Sequence, residues 1–205
     1  MDAVDKVNAD TVIVLPNNKN IILAANQAAI MSEDNADGKK IVVVPSKTVP
    51  QGITAMINYV PETPLEDVIS SMTDSLSTVN TGEVTYAVRD TVIDDVQIKQ
   101  GDYMGIGDPG ILSVGKNCID TAYDMIKSIM NDDKEIISIY YGADISEDDA
   151  QKLLSRVTDN YPDVDVELQY GGQPIYYFIV STLIRSQKAE ERNKFYEMRE
   201  SYYLR

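Results

Sequence analysis

The sequence predicts an α/β fold with a βαβ parallel-sheet core, an antiparallel β-meander inserted after it and a C-terminal helical tail. Two β-branched runs, Thr11–Leu15 (TVIVL) and Lys40–Pro45 (KIVVVP), are typical of strands buried on both faces of a parallel sheet. From Glu83 the apolar residues follow the period of two that marks strands. The segment from Leu183 onward has six basic and four acidic side chains, whereas the chain as a whole has a net charge of −15. This change from negative to positive charge marks a boundary near Leu183.

Local signals place the elements of the first half in order. Asn20 is expected to cap a helix over Ile21–Met31, which joins the two strands into a right-handed βαβ unit. Pro50 suits the first turn of a second helix. Thr63–Glu66 (TPLE) has the pattern of a capping box, and apolar residues at helical spacing extend a third helix over Leu65–Val79.

The second half begins with the meander, in which turn signals rich in aspartate and glycine separate short β segments. Asn117 and Ser146 are the expected caps of two amphipathic helices that follow the meander. The remaining strands are predicted at Glu135–Gly142, Asp165–Tyr170 and Ile175–Ser181.

Length and composition limit the domain organisation and the setting. With 205 residues the chain is long enough for one substantial domain or two small ones. A domain is predicted at 8–182, with halves at 8–80 and 83–182, and an appended tail at 183–205. Cys118 is the only cysteine, so no internal disulfide can form and a reducing cytoplasm is favoured. Because no apolar run approaches the ~20 residues of a membrane helix, we expect no integral membrane contact.

Charge and the absence of histidine exclude several classes of function. A net charge of −15 argues against nucleic acid as a partner. Without histidine, the Ser/His/Asp and Cys/His arrangements and most zinc sites are excluded. The turn aspartates lack EF-hand spacing, and Gly105–Gly110 lacks the strand-to-helix context of a dinucleotide fingerprint. We therefore expect no metal and no cofactor in this chain.

The candidate site begins with a polar loop, Asn17, Asn18, Lys19 and Asn20, which follows the first strand and precedes the first long helix. Open α/β sheets bind ligands at such positions, where backbone N–H groups and the helix dipole attract anions. The structural alternative is that asparagines suit turns and helix caps and simply form this corner. The sequence leaves both interpretations open.

Ser46, Lys47 and Thr48 follow the second strand and are expected to line the same sheet edge as the first loop, or else to cap the helix near Pro50. Arg89, in the meander, either pairs with a neighbouring aspartate, Asp90 or Asp94, or binds a partner's carboxylate bidentately.

Cys118 and the tyrosine pairs complete the set of candidates. Cys118 is expected to be a buried small hydrophobe rather than a reactive thiol. The pairs Tyr140–Tyr141 and Tyr176–Tyr177 are predicted to lie on strands, with one member of each pair facing outward.

Four segments in order resemble one bacterial family: VIVLPNNKNIILAANQAA, IVVVPSKTVPQGITAM, VTYAVRDTVIDDVQIKQGDYMGI and GGQPIYYFIVS. They resemble the C-terminal region of the DhaL-containing, dihydroxyacetone-kinase-like family that includes the catalytic subunit of fatty acid kinase. The resemblance covers 8–182 and implies a fold similar to DegV-like domains. It also implies that ATP and magnesium bind an N-terminal domain, which would precede a middle domain, both outside this chain.

The resemblance further implies a role in phospholipid synthesis, in which a fatty acid is phosphorylated to an acyl phosphate. The partner that this chain would dock is a DegV-like fatty-acid-binding subunit. The N-terminal and middle domains of the same protein would be its other partners. A second hypothesis is a stand-alone lipid or small-molecule carrier of DegV type, with the two loops binding a carboxylate. Phe195, Met198 and Tyr202 lie at helical spacing in the tail, which leaves a homodimer open.

Overall fold

The computed structural model describes residues 2–33, 39–93 and 95–184, which form two compact units, one within 2–79 and one within 80–184. The strands and helices of the first unit alternate along the chain, as expected for a βαβ fold. They are α1 (Asp2–Lys6), β1 (Thr11–Val14), α2 (Lys19–Glu33), β2 (Lys40–Val43), α3 (Val49–Ile57), α4 (Leu65–Ser75) and a 3₁₀ helix (Leu76–Thr78).

The first unit confirms the predicted parallel pair of strands. Thr11 pairs with Lys40 and Val14 with Val43, so β1 and β2 start at the same end of the sheet and finish at the other. All four residues of β1 are half-buried rather than fully buried, because this sheet has two strands among the described residues. The core of the unit consists of Val44, Ala55, Val68, Met72 and Leu76.

Two helix starts differ from the prediction. The helix α2 begins at Lys19, and the Asn18 side-chain oxygen accepts a hydrogen bond from the Asn20 N–H at 2.9 Å. Asn18 therefore does the capping predicted for Asn20. The predicted capping box at Thr63–Glu66 is wrong, because Pro64 occupies the cap position of α4 and offers no side-chain acceptor.

The second unit contains one six-stranded sheet in the order β7-β6-β3-β10-β8-β9 and a separate hairpin of β4 and β5. The pair β8–β9 is parallel, whereas β10–β8, β3–β6 and β6–β7 are antiparallel. The strands are β3 (Val79–Tyr86), β4 (Thr91–Ile93), β5 (Val96–Ile98), β6 (Tyr103–Gly107), β7 (Gly110–Gly115), β8 (Lys134–Tyr141), β9 (Asp165–Tyr170) and β10 (Phe178–Ile184).

This topology confirms the antiparallel meander and shows how it joins the rest of the unit. Because β10 lies between β3 and β8, the meander strands extend the same sheet that holds the parallel pair. Strand β3 begins at Val79, four residues before the predicted change of period at Glu83. The helix α4, which was predicted over Leu65–Val79, correspondingly ends at Ser75.

Two helices cover the sheet, and both predicted caps are confirmed. In α5 (Cys118–Ile129), the Asn117 side-chain oxygen accepts hydrogen bonds from the N–H groups of Ile119 and Asp120. In α6 (Glu147–Asn160), the Ser146 hydroxyl oxygen accepts from the Asp149 N–H at 3.1 Å. The fully buried side chains between these helices and the sheet are Val84, Ala122, Met125, Ile126, Ile137, Ile139, Ala150, Leu153, Val157, Phe178 and Val180.

The last strand differs from the prediction at both ends. It begins at Phe178, three residues later than expected, because Ile175 has a φ of 74° and lies in the left-handed region. It ends at Ile184 and so runs past the predicted tail boundary at Leu183. Residues 185–205, with Phe195, Met198 and Tyr202, lie outside the described residues, as does the helix predicted there.

None of the helices in the described ranges combines the length and the apolar character needed to cross a membrane.

Candidate functional site

The first candidate loop lies where β1 ends and α2 begins. Asn17, Lys19 and Asn20 are exposed, whereas Asn18 is half-buried. The Asn18 side chain caps the helix, which confirms the structural role of that asparagine. The solvent-facing groups at the N-terminus of α2 are therefore the side-chain amides of Asn17 and Asn20 and the ammonium of Lys19. Their role in binding stays a prediction.

The second candidate loop follows β2 and is joined to the first loop by a buried hydrogen bond. Ser46 has no exposed surface, and its hydroxyl donates to the Pro16 carbonyl oxygen at 2.5 Å. The structure therefore brings the two loops together at one edge of the sheet. Ser46 connects the loops from inside, whereas the neighbouring Lys47 is exposed.

Thr48 caps α3, as the structural alternative expected. Its hydroxyl oxygen accepts a hydrogen bond from the Gln51 N–H at 3.3 Å. Contact of Thr48 with a ligand or partner stays a prediction.

Gln51 is a site residue that the sequence analysis missed. It is 6% exposed, and its side-chain oxygen accepts a hydrogen bond from the Lys47 N–H at 2.8 Å. Its amide nitrogen donates a longer bond, 3.4 Å, to the carbonyl oxygen of Leu76 at the end of α4. The signal in the sequence was the spacing Thr48-x-x-Gln51, which is a capping-box pattern.

Arg89 belongs to the second unit and lies in the exposed turn between β3 and β4. The alternative pairing with Asp90 is not observed: Asp90 accepts from the Lys99 ammonium at 3.0 Å and from the Gln100 N–H at 2.8 Å. The hydrogen bond from Gln100, followed by the one from Lys99, holds the pKa of Asp90 below its usual value. Asp94 lies outside the described residues, and Arg89 forms no ion pair within the described ranges.

The two loops are chemically suited to recognition. They offer side-chain amides and two exposed ammonium groups, which bind carboxylates and backbone carbonyls. Within residues 2–33, 39–93 and 95–184, no three His, Cys, Asp or Glu side chains are grouped to hold a metal ion.

Cys118, at the start of α5, packs against the core of the second unit but is only half-buried, whereas full burial was expected. Burial, with a smaller contribution from the Asp149 carboxylate, raises its pKa to about 12. The thiol is therefore protonated at neutral pH and is a poor nucleophile.

One tyrosine pair lies where predicted and the other does not. Tyr140 and Tyr141 are in β8, whereas Tyr176 and Tyr177 precede β10. The Tyr177 ring contacts the rings of Tyr103 and Tyr86, with centroid distances of 5.3 and 6.1 Å.

Glu83 is half-buried in β3, and its carboxylate accepts a hydrogen bond from the Tyr176 hydroxyl. Burial raises the pKa of the Glu83 carboxyl above the usual 4.5, and the hydrogen bond from Tyr176 partly offsets this rise. When the pKa of a carboxyl is raised in the folded state, the free energy of unfolding falls as pH rises above 4.5, because the carboxyl ionises more readily in the unfolded chain. Glu83→Gln keeps an acceptor for Tyr176 and removes the charge. We expect it to raise the melting temperature more at pH 7 than at pH 4.

Thermal unfolding at the two pH values measures this difference. The exposed Glu147→Gln variant, in the first turn of α6, makes the same charge change away from the buried position. An equal gain for Glu83→Gln at both pH values would contradict the assigned cause.

Comparisons with known proteins identify the family. Residues 1–182 match the family of FakA-like C-terminal domains of fatty acid kinase. Protein YloV of Bacillus subtilis is 41% identical over 181 residues, 88% of this chain and 32% of YloV. A Staphylococcus haemolyticus protein is 43% identical over 169 residues, 82% of this chain and 30% of that protein. The chain thus spans about a third of the length of these curated relatives.

Solved structures confirm the DegV-like α/β fold. The Streptococcus pneumoniae Fak B3 protein loaded with linoleic acid is similar with a TM-score of 0.56 at 15% identity, over 86% of this chain and 73% of that chain. The dihydroxyacetone kinase from C. freundii, in complex with AMP-PNP and Mg²⁺, has a TM-score of 0.58 at 12% identity, over 93% of this chain and 42% of that chain. By its family match and its relatives, the chain belongs to the family of FakA-like C-terminal domains of fatty acid kinase.

Proposed function

We propose that this chain is the docking domain of a fatty acid kinase and binds a DegV-like fatty-acid-binding protein. The family match carries this proposal, because it relates the chain to one part of a kinase subunit. In the full-length protein, an N-terminal domain would hold ATP and magnesium, and docking would bring the fatty acid to that domain for conversion to an acyl phosphate.

The contact surface that we propose is formed by the exposed residues of two loops in the first unit, Asn17–Asn20 and Ser46–Thr48, in which the buried Ser46 fixes the loop and does not touch the partner. Arg89, in the second unit, is proposed separately as a contact residue. Lys19 and Lys47 are exposed, and ammonium groups bind carboxylates of a protein partner. The guanidinium of Arg89 is exposed and can bind a carboxylate bidentately. The Ser46 hydrogen bond to Pro16 supports the proposal, because contact groups bind better on loops that are already fixed.

A second candidate function is a stand-alone carrier of DegV type. The structural likeness to the fatty-acid-loaded Fak B3 protein favours it at the level of the fold. In this case the two loops would bind the carboxylate of a fatty acid or another small acid, with no protein partner needed.

Calorimetric titration of the chain with the fatty-acid-loaded DegV-like protein of the same organism tests the proposal. Lys19→Glu and Arg89→Glu are each expected to weaken binding by about tenfold or more, about 1.4 kcal/mol, because each replaces attraction by repulsion. Lys40→Glu is the matched control for Lys19. It makes the same charge change at an exposed residue at the opposite end of the two-stranded sheet.

The possible outcomes separate the two functions. Tenfold weaker binding by both variants, with the control unchanged, supports the docking surface. Unchanged binding by both means that the surface is wrong. No binding by the unaltered chain, together with fatty acid that copurifies with it, favours the carrier.

A further inference from the structure

We infer that Gln51 is a positioning residue. Its buried side chain fixes the Ser46–Thr48 loop of the docking surface, here called the Lys47 loop, and does not contact the partner. This inference rests on the proposed function. Gln51 lies in the first turn of α3 and its side chain is 6% exposed, so it is covered by the protein itself.

The contacts of Gln51 reach the loop before the helix as well as the helix itself. Its side-chain oxygen accepts a hydrogen bond from the N–H of Lys47, the residue before the cap, at 2.8 Å. Thr48 completes the arrangement by accepting from the Gln51 N–H at 3.3 Å. These hydrogen bonds therefore connect the first turn of α3 to the preceding loop and restrict the conformation of that loop.

The same side chain connects the loop to a third element. Its amide nitrogen donates to the carbonyl oxygen of Leu76, where α4 ends, at 3.4 Å. On the other side, Ser46 donates to Pro16 and so connects to the Asn17–Asn20 loop. Buried polar side chains thus connect the Lys47 loop to α4 on one side and to the Asn17–Asn20 loop on the other. A glutamine suits this place because it supplies one acceptor and one donor without a buried charge.

One substitution removes both side-chain hydrogen bonds of Gln51. Gln51→Met keeps the length of the side chain but has neither its acceptor nor its donor. The matched control is Asn58→Ala. It removes a side-chain hydrogen bond to the Thr54 carbonyl oxygen at the other end of α3.

The first measurement is hydrogen exchange of the backbone amides in the 205-residue chain, and it needs no partner. In the unaltered chain the Lys47 amide should exchange at least about tenfold more slowly than an unstructured amide. Gln51→Met should speed its exchange about tenfold, whereas Asn58→Ala should leave it within about threefold. An unprotected Lys47 amide in the unaltered chain would overturn the inference even if a variant fails to fold.

The second measurement is the affinity for the fatty-acid-loaded DegV-like protein. Gln51→Met should weaken binding about tenfold, and Asn58→Ala should not change it. Faster Lys47 exchange with unchanged affinity would overturn the positioning role. Absence of binding by the unaltered chain would instead refute the proposed function, while the exchange data would still report whether Gln51 holds the loop.

Discussion

Replacing Phe178 with alanine is expected to lower the free energy of unfolding of the second unit by about 3–5 kcal/mol. The side chain has no exposed surface and is among the largest that are fully buried. It lies at the start of β10, the strand between β3 and β8, where it packs in the core of the unit. The truncation would remove apolar area and leave a cavity that a fixed sheet cannot close.

Urea unfolding followed by circular dichroism measures this loss. The control is Phe178→Leu, which keeps most of the apolar volume and should cost roughly 1–1.5 kcal/mol. A loss below about 1 kcal/mol for the alanine variant would show that the core around β10 is loosely packed.

Gly142→Ala should also be strongly destabilising, with a loss of about 3 kcal/mol. A β-carbon at this position would lie 2.3 Å from the Tyr176 carbonyl oxygen and 2.7 Å from the Gln173 carbonyl oxygen. Both are backbone atoms, so no side-chain rotation can relieve the contact. The Gly142 N–H also donates to the Tyr177 carbonyl oxygen at 2.9 Å, which fixes the segment before β10 against the end of β8.

The matched control for Gly142 is Gly101→Ala, also in the second unit. Gly101 has a φ of +85°, and a β-carbon added there would meet nothing within 4 Å, so alanine would add only backbone strain. That strain costs about 1–2 kcal/mol. Equal losses for the two variants in urea unfolding would show that the close approach at Gly142 relaxes at little cost.

Features that depend on neighbouring residues were predictable from the sequence. The caps at Asn117 and Ser146 each bond to N–H groups within three residues, so their signal is local. The first loop shows the limit of this approach. Several adjacent asparagines offer equivalent cap oxygens, and only the backbone path decided that Asn18 rather than Asn20 caps α2.

Features that depend on distant residues were not predictable in this way. The position of β10 between β3 and β8 joins strands far apart in the chain, and no period or turn signal records that pairing. The left-handed backbone of Ile175 contradicts the preference of a β-branched residue, so the strand was predicted to start too early. The burial of Ser46 was missed because a serine after a strand is usually an exposed turn residue.

The family assignment agrees with the resemblance found in four sequence segments. Those segments include both candidate loops and the turn that contains Arg89. The structure adds a physical distinction between their residues. Ser46 and Gln51 hold the loops from inside, whereas Lys19 and Lys47 are exposed and can reach another molecule.

The central position of β10 has a consequence for synthesis on the ribosome. It is the last of the described strands to be made, yet it is flanked by β3 and β8. Until Phe178–Ile184 emerges, those two flanking strands each have an unsatisfied row of peptide groups, which can pair with other nascent chains. A chain truncated before Phe178 would therefore have both of these strand edges unpaired and would be prone to aggregate, whereas a chain that contains this segment can close the sheet.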